Sequence, residues 1–202
     1  MKNNKLSYTI ARIISTIFVP PTFTVLLFIY TSFLLENDGY KRAFIISVSV
    51  IFGLLIPVFV FIKLRKTNKI TDPDTSIKEQ RDIPYLLNSL FCLSAIPPIF
   101  ILNTALFFLI VWIIFFFATL ILYFINKHWK ISAHLIGATI FTGALFYLQN
   151  ETVFFLIPLL LIISWARIKL RIHNLTQVLA GGVLGFSLTY FTLYFIYNFV
   201  IT

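Results

Sequence analysis

Nearly all the residues of this chain that could do chemistry lie in three short polar segments, each followed directly by an apolar run. The first, residues 71–84, holds Asp72, Asp74, Glu79 and Asp82, four of the seven acidic residues, interleaved with Lys78 and Arg81. An arginine just before an apolar helix can clamp a phosphate, because guanidinium matches phosphate oxygens in bidentate geometry. Asp72 and Asp74 form an Asp-x-Asp pair, a weak signal for Mg²⁺. The plainer alternative is a solvated charged loop in which Pro84 starts a helix. The second segment is Ile131-Ser132-Ala133-His134. Ser132 is expected as an N-cap, with first-turn amides that favour an anion, and His134 one turn further in. Its alternative is a capping serine and an interfacial histidine bonded to a carbonyl. The third runs from Trp165 to Gln177 and contains Arg167, Lys169, Arg171 and His173. His173 and Gln177 are four apart and share a helix face, so the amide oxygen can accept from one imidazole nitrogen and leave the other available as nucleophile or base. Taken alone, this segment also reads as an ordinary basic turn.

The chain that must position these groups is not water-soluble in composition. Its 202 residues are 59% hydrophobic, 18% aromatic and 11% charged, with 24 phenylalanines and mean hydropathy +0.96. Soluble chains run near 45–50% apolar and about 25% charged. This excludes a soluble enzyme, a disordered tail and a nucleic-acid binder, despite the net charge of +9. The single cysteine, Cys92, excludes a disulfide framework within the chain and a multi-cysteine zinc site, and reads as a small apolar residue of a span.

The expected fold is all-α: a polytopic transmembrane helical bundle of about seven spans, six being possible, forming one membrane domain over residues 1–202. The spans are read at 13–35, 43–62, 85–102, 105–125, 131–148, 152–166 and 175–200. Residues 86–125 make about 60 Å of helix, twice the ~30 Å hydrocarbon core, so they must be two spans, separated at Asn103–Thr104. The basic N-terminal segment is read as the first anchor and not as a cleaved signal peptide, with Pro20 and Pro21 kinking its helix. Alternating sides place fourteen of the sixteen Lys and Arg with the N-terminus and segments 63–84, 126–130 and 167–174, against Lys41 and Arg42 opposite. By the positive-inside rule the fourteen-cation side is cytoplasmic.

In order and spacing the three segments resemble the type 2 phosphatidate phosphatase superfamily, which includes the vanadium haloperoxidases and carries Lys-x6-Arg-Pro, Pro-Ser-Gly-His and Ser-Arg-x5-His-x3-Asp. Ser132 and His134 match the second motif; Arg167 and His173 match the third, with Gln177 where the family has aspartate. Residues 178–185, Val-Leu-Ala-Gly-Gly-Val-Leu-Gly, resemble the small-residue helix that follows. The first motif departs: Asp74 stands seven before Arg81, Lys78 is at another spacing, and Pro84 is three beyond. The resemblance implies a phosphatase core over about residues 72–200 and a metal-free, cofactor-free mechanism. In it His173 attacks phosphorus, His134 protonates the leaving oxygen, Arg81, Arg167, Ser132 and Lys78 hold phosphate oxygens, and Gln177 orients His173. His128 matches no motif position and reads as interfacial beside Trp129. The implied partner is a membrane lipid phosphate, phosphatidate-like or polyprenyl. The expected location is a bacterial inner membrane with the site on the cytoplasmic face. Two other readings stand beside it: a lipid phosphotransferase or Mg²⁺-dependent prenyl-diphosphate enzyme, and a non-catalytic lipid-binding or transport protein.

Overall fold

The computed structural model describes residues 2–200; Met1, Ile201 and Thr202 lie outside them, as do the side chains of residues 2–4, and with them the Lys2 cation counted above. The elements are α1 (Lys2–Ile17), α2 (Pro20–Leu35), α3 (Gly39–Val50), a π-helical turn (Ile51–Leu55), α4 (Ile56–Lys66), a 3₁₀ turn (Lys78–Arg81), α5 (Asp82–Ile101), α6 (Leu106–His128), α7 (Ala133–Tyr147), α8 (Val153–Lys169) and α9 (Leu175–Phe199). Because α3 and α4 are continuous through the π turn, the described residues form eight helices and no strand. The all-α expectation holds.

By length and apolarity, fewer helices qualify as spans than the seven read from the sequence. Four helices are long and apolar enough to cross a membrane: Gly39–Lys66, Lys78–Ile101, Leu106–His128 and Leu175–Phe199. A fifth results if α1 and α2, which meet at a 53° bend, act as one broken span. Pro20 and Pro21 stand just after this bend, where neither can supply the N–H that would continue α1. The difference from the sequence reading lies in α7 and α8. With 15 residues, α7 is about 22 Å long, short of the ~30 Å core. Every residue from Leu135 to Leu145 is buried. Its apolar composition therefore serves protein packing all round, and hydropathy does not separate that case from lipid exposure. α8 has 17 residues and carries Arg167 and Lys169 in its last turn.

The chain divides into two compact units, residues 1–23 with 130–202, and residues 24–129. In the first, α7 packs along α9, and α8 packs against α1 and α7. Glycine permits the closest of these approaches: a Cβ at Gly181 would stand 2.6 Å from the Ser132 carbonyl oxygen, and one at Gly185 would meet Thr139 Oγ1 and the Ile136 carbonyl. In the second unit α5 pairs with α6, and Phe28 of α2 stacks on Trp112 of α6 at 4.7 Å between ring centroids. Within that unit Lys41 Nζ donates to the Asn103 carbonyl at 2.7 Å, and Lys78 Nζ to the Lys127 carbonyl at 2.8 Å. Each bond joins two segments that the charge count assigns to one membrane side.

Candidate functional site

His134, Arg167, His173, Gln177 and Ser132 all belong to the first unit, and the ends of α7, α8 and α9 assemble them. α8 ends where Arg171 takes a left-handed φ of 57°. The Arg167 carbonyl then accepts from the Ile172 and His173 amides at 3.2 and 3.4 Å. Leu170 and Ile172 on either side of this turn are buried with Ala11 and Ala166, and the partly buried Ile14 packs on them. Apolar packing thus folds the turn back and brings His173 to the start of α9.

α9 opens with a capping box: Asn174 Oδ1 accepts from the Gln177 amide at 2.9 Å, and Gln177 Oε1 accepts from the Asn174 amide at 3.1 Å. The second bond identifies the Gln177 atom as its carbonyl oxygen, since an amide N–H can only donate. That same oxygen lies 3.3 Å from His173 Nδ1, so Nδ1 carries the hydrogen and donates. The acceptor lone pair of a neutral His173 is then at Nε2. The contact between His173 and Gln177 is present, but not on a shared helix face: His173 precedes the N-cap Asn174, and the capping box turns Gln177 Oε1 back towards it. The pattern Asn174-x-x-Gln177 is itself a helix-start signal that the motif comparison passed over.

His134 sits in the first turn of α7. Its Nε2 lies 3.1 Å from the Ser15 carbonyl oxygen; a carbonyl only accepts, so Nε2 carries the hydrogen. Arg167, 1% exposed, donates from Nη1 to Ser15 Oγ. The 3.5 Å approach of the same Nη1 to His134 Nε2 joins two donors and is a contact, not a hydrogen bond. Ser15 therefore receives both groups through different oxygens. Nothing in the sequence singles it out, being one hydroxyl in an N-terminal helix with no motif around it.

Ser132 holds the N-cap position of α7 with extended backbone, but its hydroxyl caps nothing. The expected cap is corrected: the Ser132 amide donates to the Gln177 carbonyl at 3.1 Å, and Gly181 brings α9 hard against the Ser132 backbone. That tie leaves Ser132 Oγ fully buried with no hydrogen-bond partner among the described residues. A buried hydroxyl without a partner costs about 1–3 kcal/mol and calls for a ligand atom or a water. The first unit also carries seven cations, Lys2, Lys5, Arg12, Lys130, Arg167, Lys169 and Arg171, against one acidic side chain, Glu151, placed before the opposite end of α8.

Lys78, Arg81, Asp72 and Asp74 belong to the second unit. Arg81 is buried, donating from Nε to the Thr75 carbonyl at 2.6 Å and from Nη2 to the Asp74 carbonyl at 3.3 Å. It holds a turn in which Thr75 has φ 49°. Asp72 organises the same turn, Oδ1 accepting from the Asp74 amide and Ser76 Oγ, Oδ2 from the Ser76 amide. Lys78 Nζ lies on the Lys127 carbonyl and 4.0 Å from Glu79. Buried Asn126, which sequence reasoning missed, donates to the Lys78 carbonyl and to Asp82 Oδ1, pinning this segment to α6. Among the described residues no three His, Cys, Asp or Glu side chains cluster as metal ligands.

No family model, no curated protein and no solved structure matches this chain.

Proposed function

We propose that this chain is an integral membrane phosphohydrolase that removes phosphate from a lipid phosphomonoester or diphosphate through a phosphohistidine. The observation that carries the reading is the 3.3 Å approach of His173 Nδ1 to Gln177 Oε1, an oxygen that only accepts, which favours the tautomer with the nucleophilic lone pair at Nε2. In the first step His173 Nε2 bonds to phosphorus as the bond from phosphorus to the lipid oxygen breaks. His134, as the imidazolium, gives a ring proton to the departing oxygen and is left neutral. In the second step water attacks phosphorus, the N–P bond breaks, and His134 takes the water's proton as inorganic phosphate leaves.

Phosphoryl transfer asks mainly for positioning and for positive charge around the equatorial oxygens. Arg167 and the Ser132 hydroxyl are the groups of the first unit suited to that role. The rival Mg²⁺ reading is less favoured, because both oxygens of Asp72 already accept from their own turn. A substrate with phosphate at headgroup depth and chains in lipid suits groups held at the ends of apolar helices.

The test is phosphate release by detergent-purified protein in EDTA, from phosphatidate, phosphatidylglycerol phosphate and prenyl phosphates and diphosphates, beside His173→Ala. The expected result is release that falls at least about a thousandfold in the variant. Release indifferent to His173→Ala, or none from any lipid, would overturn the proposal. The second outcome would favour a transferase or a non-catalytic lipid binder.

A further inference from the structure

The C-terminal end of α4, in the second unit, carries a feature that the proposed activity does not use. Lys63, Arg65, Lys66 and Lys69 are all exposed, and their side chains form no hydrogen bond or ion pair with any described residue. No acidic residue occurs between Asp38 and Asp72 to balance them. Arg65 and Lys66 line, with Ile62, a shallow depression open to the surface. α4 is also the last part of a 28-residue candidate span, Gly39–Lys66. The cations therefore stand where an apolar helix runs out.

The apolar side chains leading to that depression are in line. Leu55, Phe59, Ile62 and Lys66 are spaced by four, three and four residues, one stripe of a helix. Leu55, Phe59 and Ile62 are 56%, 67% and 47% exposed, so much of the stripe is left open. One helix face thus presents a hydrocarbon track ending in one guanidinium and one ammonium group. A molecule that complements it has an acyl chain and, at the chain's end, an anionic headgroup.

We infer that the C-terminal end of α4 is a binding site for an anionic phospholipid, its phosphate held by Arg65 and Lys66 and an acyl chain lying along Ile62, Phe59 and Leu55. Clustered cations at the end of a span attract anionic headgroups. The apolar stripe adds what general attraction lacks, a place for one chain of one lipid. The site belongs to the second unit and does not depend on the phosphohydrolase reading.

The experiment is native mass spectrometry of the full chain in detergent, titrated with phosphatidylglycerol, phosphatidylcholine or water-soluble glycerol 3-phosphate. Phosphatidylglycerol is expected to remain bound, and the other two are not. Arg65→Gln/Lys66→Gln should weaken its retention about thirtyfold. Lys5→Gln/Lys127→Gln, which removes equal charge elsewhere, should leave it within about twofold. Phe59→Ala/Ile62→Ala, which keeps every charge, should weaken it several-fold. Equal loss in the two charge variants would reduce the site to general attraction and overturn the inference. Retention of glycerol 3-phosphate as strong as that of the lipid would do so too, by removing the acyl contribution. Far-ultraviolet circular dichroism of each variant separates loss of the site from loss of helix.

Discussion

Gln177 accepts at one oxygen from both the His173 ring and the Asn174 amide, so its substitutions divide into two kinds. Gln177→Glu preserves the reach and both acceptor contacts, and adds a negative charge at a helix N-terminus, where charge is favoured by about 0.3–1 kcal/mol. Under the proposed mechanism it also stabilises the charge on His173, and phosphate release should rise about tenfold. Gln177→Leu removes the acceptor, leaves the tautomer unset, and should lower release about a hundredfold while binding of lipid persists. A steady-state comparison of kcat and KM for the three proteins checks both. Ser15 holds His134 and Arg167 from α1. Ser15→Ala keeps the carbonyl that receives His134 but deletes the oxygen that receives Arg167, so it should cost about 1.5 kcal/mol, read as a lower thermal midpoint in detergent.

For the helices, the decisive contact is α7 on α9. Gly181, Gly182 and Gly185 lie within five residues, yet they face different surroundings. A methyl at Gly181 would strike the Ser132 carbonyl, and one at Gly185 the Ile136 carbonyl, both backbone atoms that cannot swing aside. Gly181→Ala and Gly185→Ala should each cost about 1–3 kcal/mol by forcing the helices apart. They should also break the Ser132 amide bond to Gln177. A methyl at Gly182 meets nothing nearer than 3.8 Å, and Gly182→Ala should be neutral or stabilising by up to about 1 kcal/mol. Thermal unfolding followed by circular dichroism orders the three. If Gly182→Ala proved as damaging as its neighbours, the packing described for α7 and α9 would be wrong.

At the scale of the molecule, the unequal distribution of cations predicts sidedness. In a Cys92→Ser background, single cysteines in place of Lys5, Lys66, Lys127 and Lys169 should react with a membrane-impermeant maleimide from the cytoplasmic side. A cysteine in place of Tyr40 should react from the other side, and one in place of Glu151, which follows the enclosed α7, from the cytoplasmic side. The bonds Lys41 to Asn103 and Lys78 to Lys127 agree with that grouping, because each joins two loops assigned to one side. Residue 151 is the informative position. If α7 and α8 together do not cross, Glu151 will label with Lys127 and Lys169, and the protein has four or five spans and not seven.

Composition alone was enough to make this a helical membrane protein, since the charge is too sparse and the phenylalanine too abundant for a water-exposed surface. Spacing pointed to a contact between His173 and Gln177, but the contact forms across the capping box, with His173 one residue before the N-cap Asn174 and outside α9. Three matters were decided only by tertiary structure, each for a physical reason. α7 is as apolar as a span, and only its enclosure over residues 135–145 reveals that its partners are protein on every side. Ser132 looks like a cap in sequence, but the close approach at Gly181 ties its amide to Gln177 and leaves its hydroxyl buried without a partner. Ser15 meets His134 and Arg167 across separations of 119 and 152 residues, a proximity that no local pattern encodes. Arg81 and Asp72 carry the chemistry a phosphate or metal would want, and only the folded turn shows those donors and acceptors already engaged with backbone.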